Sequence, residues 1–436
     1  MNSAPAIILC AALAAVTACA DGRGAGAPAP QPLPAPAGGR SVPPGGLQDA
    51  LTEAAAGAVL LLEPGLHPGP IRITRPVTIW GPPTAILRST GEGTTLSVEA
   101  AGTKLSGFTV DGSGSRFDTT DAAVRVRADD VEVRGLSVVH SLFGILVELS
   151  KRAEIRDNLV EGTGQPAHGL RGDGIRLWET TDSVVSGNRV RDARDVVVWY
   201  SSHNRVVGND VRGCRYGTHF MYSHENLVAD NRYRDNVVGI FVMYSHDVSI
   251  ERNLIAHCSG AAGVGLGVKE SGNLTVAANA FLANTTSIYL DTSPLDRNQT
   301  NRFRGNHIRM SDTGVVFHAS PERNEFEDNS LRDNTHQVQV GGGGDAMRTS
   351  WRGNCWDDYQ GYDLDGDGRG DVAYELRSLS SDLLGKQPEL ALLRGTPALA
   401  MVDLVGEVLP LFAPQQLLVD ESPRLVSSPL EWFDAH

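Results

Sequence analysis

Positive charge is what this sequence lacks most. Its 38 Lys and Arg stand against 52 Asp and Glu, a formal net charge of −14 over 436 residues. A phosphate binder needs a basic footprint, so nucleic acid is excluded as a partner over most of the surface, and anionic lipid with it. Catalytic signatures are missing too: there is no G-x-S-x-G, no P-loop and no H-E-x-x-H. The adjacent acids Asp129-Asp130 and Asp357-Asp358 would diverge on a strand, and nothing in the sequence sets two carboxylates at glycosidase separation. We therefore read the chain as a non-enzyme. Cysteine is sparse: with Cys10 and Cys19 near the N-terminus, Cys214, Cys258 and Cys355 remain, an odd set that cannot all pair within one chain. Aromatic residues are only 6%, whereas 48 glycines indicate many turns, and a hydrophobic fraction of 41% excludes wholesale disorder.

The first twenty residues carry no charge, and Ile7, Ile8, Leu9, Leu13 and Val16 form a short apolar stretch ending in small residues. That pattern reads as a signal peptide over residues 1–19, although it lacks a basic start. Val16-Thr17-Ala18-Cys19 matches a bacterial lipobox, which makes Cys19 the lipidation residue; Ala18-Cys19-Ala20 also fits cleavage of a soluble periplasmic protein. Residues 20–46 are rich in Pro, Ala and Gly and suit a tether.

Self-similarity dominates the remainder. Asn188, Asn209, Asn231 and Asn253 are spaced 21, 22 and 22 residues apart, and the series continues through Asn279, Asn306, Asn329 and Asn354, with Asn158 before it. Each follows a short alternating apolar segment such as Val184-Val185-Ser186. Short strands repeating slightly beyond twenty residues fit an all-β fold, a right-handed parallel β-helix of roughly eleven to thirteen coils. Coils stack about 4.8 Å apart, so the asparagines would form one hydrogen-bonded ladder. The solenoid is expected over residues 47–375, capped by a short helix from Leu47 to Ala56 and followed by a C-terminal tail, residues 376–436. Cys214 and Cys258, two coils apart, lie beyond disulfide reach and read as buried thiols.

Strand parity places one set of side chains outside. Aligned on the strand from Gly239, the outer positions are Arg176 and Trp178, Val197 and Trp199, His219 and Met221, and Phe241 and Met243. Trp178, Trp199 and Phe241 make an apolar docking face. Met221-Tyr222-Ser223-His224 recurs 22 residues later as Met243-Tyr244-Ser245-His246. Thioether and imidazole together suit copper, above all Cu(I), so His219, Met221, His224, Met243 and His246 are the candidate copper ligands. The competing reading is a plain apolar contact face with histidines at ordinary turns.

Asp363-Leu364-Asp365-Gly366-Asp367-Gly368 has the alternating spacing of a calcium loop. Asp363, Asp365, Asp367 and, at position nine, Asp371 are its candidate ligands; Tyr374 stands where an EF-hand has its bidentate acid, and a solvated acidic turn is the alternative. In the tail, Thr396-Pro397 supplies a helix start, and Ala398 to Leu409 carries apolar residues around most of its axis. Such a segment covers the solenoid or docks on a partner.

The doubled Met-Tyr-Ser, the stretch Asn354-Cys355-Trp356-Asp357-Asp358-Tyr359-Gln360-Gly361-Tyr362 leading into the Asp363 loop, and the apolar tail resemble the NosD family, periplasmic maturation proteins of nitrous oxide reductase. The resemblance runs from about Leu47 to the C-terminus. It implies a copper-linked periplasmic protein working with the permease and ATPase of an ABC transporter, receiving copper from a membrane-anchored copper chaperone and serving the reductase's copper sites. The coils alone are equally compatible with an extracytoplasmic polysaccharide-binding or polysaccharide-modifying β-helix.

Overall fold

The computed structural model describes residues 33–320, 322–378, 383, 388–393 and 415–434, with 396, 398, 401, 402 and 405 between the last two segments. It is a right-handed parallel β-helix of about 14 turns. Three long sheets run its length, of 14, 12 and 13 strands, and each joins strands from successive coils in parallel. One coil shows the plan: Tyr216–Met221 lies in the twelve-stranded sheet, Leu227–Ala229 in the fourteen-stranded and Arg232–Arg234 in the thirteen-stranded. Alternation fixes the faces. Ile240 and Val242 are fully buried, while Phe241 and Met243 between and beyond them point out.

Polar residues at the corners are satisfied along the stack. Asn188 Nδ2 donates to Asn209 Oδ1 at 3.0 Å, Asn209 to Asn231 at 2.9 Å and Asn231 to Asn253 at 2.9 Å, all buried. Each Oδ1 also accepts the backbone N–H of the asparagine one coil earlier, as from Asn188 to Asn209 at 2.9 Å, so the corner carries no unpaired amide on this edge. A serine column serves a second corner: the N–H of Ser201 donates to Ser223 Oγ, and that of Ser223 to Ser245 Oγ, each at 3.0 Å. Ser223 and Ser245 are the serines of the repeated Met-Tyr-Ser, and Ser201 follows Trp199-Tyr200 one coil earlier.

Both ends are closed. Leu47–Glu53 forms the helix expected there, burying Leu47 and Ala50 over the first coil. The first sheet opens earlier than Leu47, because Arg40–Val42, inside the segment read as tether, pairs with Ala58–Leu62. At the other end Tyr374–Ser378 pairs antiparallel with Gln415–Asp420. The buried Asp420 carboxylate accepts from Asn354 N and Nδ2, both at 2.9 Å, taking the place of a next ladder asparagine. Downstream, His307 Nε2 donates to Ser428 O at 2.7 Å and Trp432 Nε1 to Ala278 O at 2.9 Å, which returns the chain along the solenoid. Of the helix expected from Ala398 to Leu409, Ala398, Met401, Val402 and Val405 are described and helical, and the rest lies outside the described residues. The signal segment with Cys19 lies outside them too.

Candidate functional site

The outer face of the twelve-stranded sheet gathers the chemistry. Register pairs Trp178 with Trp199, Trp199 with Met221 and Met221 with Met243, so the four form one column. Beside it Val197, His219 and Phe241 form a second. His219 Nε2 lies 3.3 Å from Met243 Sδ on the next coil. Its ring is walled by Trp199 at 5.4 Å, Tyr216 at 4.7 Å and Phe241 at 6.2 Å between centroids. Only 7% of His219 is exposed, and its Nδ1 is buried without a partner among the described residues. Burial, and then the Arg215 charge, push its pKa down to about 4, so at neutral pH the ring is uncharged and keeps a lone pair for a metal.

Among the five residues read as one copper set, two contacts are seen, His219 with Met243 and His224 with His246. His224 and His246 lie beyond the corner that begins at Tyr222 and Tyr244, residues held at φ 51° and 50°. There the two imidazoles stack at 3.8 Å between centroids, tilted 16°. His224 Nδ1 accepts the backbone N–H of His246 at 3.2 Å, and His246 Nδ1 meets Asp247 Oδ2 at 2.6 Å. The two Nδ1 atoms are thereby engaged, and burial together with the neighbouring His246 lowers the pKa of His224. Strand parity alone could not separate these groups, because the αL corner redirects everything after it.

Two features escaped the sequence reading. Tyr200, Tyr222 and Tyr244 stack in a half-exposed ladder at 5.4 and 4.9 Å, with Trp178 5.3 Å from Tyr200. The αL conformation costs a bulky residue about 1–2 kcal/mol, which stacking of the rings offsets in part. Beneath the aromatic wall lies a charged cluster. Asp173, fully buried, accepts from Arg176 Nε at 2.7 Å and Arg194 Nε at 2.8 Å; Asp195, also buried, accepts from Arg215 Nε at 3.0 Å. Burial and the charge of Asp173 raise the Asp195 carboxyl, against the pull of Arg215. Asp173, Arg194 and Arg215 follow one another at 21 residues, the local coil interval, a signal that would have exposed the cluster.

The acidic loop is a separate place. Ligand atoms of Asp363, Asp365 and Asp367 all lie within 4.8 Å of one another. Asp371 does not join them; its carboxylate instead accepts the Leu364 N–H at 2.6 Å and braces the loop. Cys214, Cys258 and Cys355 are free and buried, and burial pushes the thiols of Cys214 and Cys258 up to about 12, far too high for reactive thiolates at neutral pH. No helix among the described residues is long and apolar enough to cross a membrane.

Residues 164–361, which span this face, match the family model described as periplasmic copper-binding protein (NosD). The chain is 28% identical over 366 residues to a probable ABC transporter binding protein NosD of Pseudomonas aeruginosa, covering 80% of this chain and 84% of the relative. A protein of the same name from Stutzerimonas stutzeri is 26% identical over 397 residues, covering 85% and 87%. Among solved structures, the chain resembles the catalytic unit of an α-1,3-glucanase from Streptomyces thermodiastaticus, with a TM-score of 0.58 and 16% identity over 75% of this chain and 70% of that one. It also resembles the A-module of a mannuronan C-5 epimerase from Azotobacter vinelandii, with a TM-score of 0.55 and 15% identity over 72% and 95%. At such identities these two likenesses concern the fold alone.

Proposed function

We propose, from the premise that this is a NosD-type protein, that it carries copper as Cu(I) in the periplasm for assembly of the copper sites of nitrous oxide reductase. The family match and the two NosD relatives support the premise. The observation that carries the copper reading is the approach of a buried, uncharged imidazole to a thioether one coil away, His219 to Met243, with Met221 paired beside it. Two neutral soft or borderline donors in an apolar wall favour Cu(I) over harder cations. His224 and His246 form a second, more exposed imidazole pair beyond the corner, suited to first contact with the metal. In this reading copper arrives from a membrane-anchored chaperone, and an ABC transporter of permease and ATPase subunits is the docking partner. The aromatic ladder and Trp178 offer amphipathic rings typical of interface centres. Lipidation at Cys19 would hold the protein at the membrane where that partner sits.

The test is competition with a chromophoric Cu(I) chelator. The wild-type protein should hold Cu(I) at least about tenfold more tightly than a Met221→Ala, Met243→Ala variant, one lost ligand being worth a factor of that order. Equal competition by both would remove the column from copper binding.

A second reading, polysaccharide binding or modification, is favoured by the two buried carboxylates Asp173 and Asp195 under an aromatic wall. Both acids are tied to arginines, so neither is a free general acid in this arrangement. Release of reducing ends or unsaturated sugars from a panel of acidic and neutral glycans by the purified protein would revive it.

A further inference from the structure

The charged cluster under the aromatic wall is not electrically balanced. Among the described residues, Arg176, Arg194 and Arg215 form ion pairs with Asp173 and Asp195 alone, three guanidiniums against two carboxylates. The two groups are one network, since Arg194 Nε is also 3.8 Å from Asp195 Oδ2. Each arginine engages its acid through the Nε and Nη2 edge, and among the described residues no hydrogen bond uses Nη1 of any of the three. A further donor nearby has no acceptor: the indole N–H of Trp199 is buried and unpartnered, and its ring lies 5.8 Å from the Arg176 guanidinium carbon. Surplus positive charge with unused, partly desolvated N–H donors is the chemistry of an anion receptor.

This receptor adjoins the copper ligands. Trp199 is 5.4 Å from the His219 ring, and Tyr216, over which Arg215 sits at 4.6 Å, is 4.7 Å from it on another side. Cu(I) held by imidazole and thioether keeps its full positive charge, since both donors are neutral. Such an ion beside surplus guanidinium charge, in a site shielded from water, is repelled unless a negative ligand comes with it. We propose that the cluster is an anion subsite whose ligand is a soft monoanion, a halide or a thiolate, bound as the counter-ligand of the copper on His219 and Met243. Softness is set by the metal, which prefers sulfur and heavier halides to carboxylate oxygen. The arrangement makes copper retention depend on what accompanies it, a property suited to hand-over.

The anion subsite stands on the charge count and unpaired donors, while its role as counter-ligand rests on the copper reading, and the experiment separates the two. Copper-free protein in nitrate buffer is titrated with bromide and followed by broadening of the bromide nuclear resonance. Saturable broadening is expected, with affinity lower by about tenfold in Arg215→Gln and a smaller loss in Trp199→Phe, which removes one N–H and keeps the ring. Because Arg215→Gln strands a buried carboxylate and risks misfolding, Trp199→Phe with an unchanged circular dichroism spectrum is the decisive variant. Absence of saturable broadening, or identical broadening in Trp199→Phe, overturns the subsite. Cu(I)-loaded protein in bromide is then examined by X-ray absorption. A copper–bromine shell, absent in nitrate, is expected, and a shell unchanged by bromide overturns the counter-ligand role even where broadening persists. Finally, a cysteine-bearing peptide and its serine counterpart are added: loss of the bromine shell with the former alone identifies a partner's thiolate as the preferred source, and retention identifies free halide.

Discussion

Acidification should unfold the metal-free protein partly through one ring. His219 has its pKa pushed from an ordinary 6.5 to about 4 by burial and by Arg215. A depressed folded-state value means that the folded protein resists the proton that the unfolded chain accepts. The resulting stability is complete above pH 6.5, falls as pH drops and is fully lost below about pH 4. Between pH 7 and pH 5 the loss from this group alone comes to about 2 kcal/mol. The assay is denaturant unfolding of wild type and of His219→Leu, followed by circular dichroism at several pH values. Leucine keeps an apolar side chain at the site and cannot titrate, so the stability difference between the two proteins should shift by about 2 kcal/mol toward the variant from pH 7 to pH 5. A difference independent of pH over that window would mean that the imidazole is already charged or well solvated when folded, and the argument for a free lone pair would fall with it.

Three further outcomes follow from the cap, the acidic loop and the tail. Asp420→Ala should destabilise the protein by about 2–4 kcal/mol by stranding the buried donors of Gly353 and Asn354, whereas Asp420→Asn, which keeps one acceptor, should cost less; equal denaturation midpoints for wild type and both variants would deny the ladder its terminal cap. Calcium at a hundredfold excess over its dissociation constant should raise stability by about 2.7 kcal/mol if the three carboxylates hold it; an unchanged melting temperature in Asp365→Asn and wild type alike identifies a solvated acidic turn. Truncating the tail would remove Asp420 along with any docking surface, so docking is better tested with Met401→Asp and Val405→Asp, at residues 65% and 41% exposed; these should abolish co-purification with the permease at unchanged melting temperature, and retained co-purification would place the contact elsewhere.

The solenoid was legible because its determinants are periodic. A buried asparagine recurring every 21 to 30 residues announces both the coil and the ladder, and strand alternation separates Ile240 and Val242 from Phe241 and Met243. What lay beyond reach was set by departures from that period. The αL residues Tyr222 and Tyr244 turn the chain, so His224 and His246, in perfect register with each other, leave the column of Met221 and Met243. The terminal cap depends on a contact between Asn354 and Asp420, 66 residues apart, and no local pattern specifies so distant a partner. Asp173, Arg194 and Arg215 lay within reach of the repeat period, but charged residues in the turns that lead into strands read as solvated until the wall above them is seen.

The central claim is that the outer column holds copper through sulfur as well as nitrogen. X-ray absorption at the copper edge, on protein loaded with one equivalent of Cu(I) in nitrate buffer, tests it most directly. The account predicts mixed nitrogen and sulfur scatterers in the wild type and loss of the sulfur shell in the Met221→Ala, Met243→Ala variant. A shell of nitrogen and oxygen alone, the same in both proteins, would contradict it.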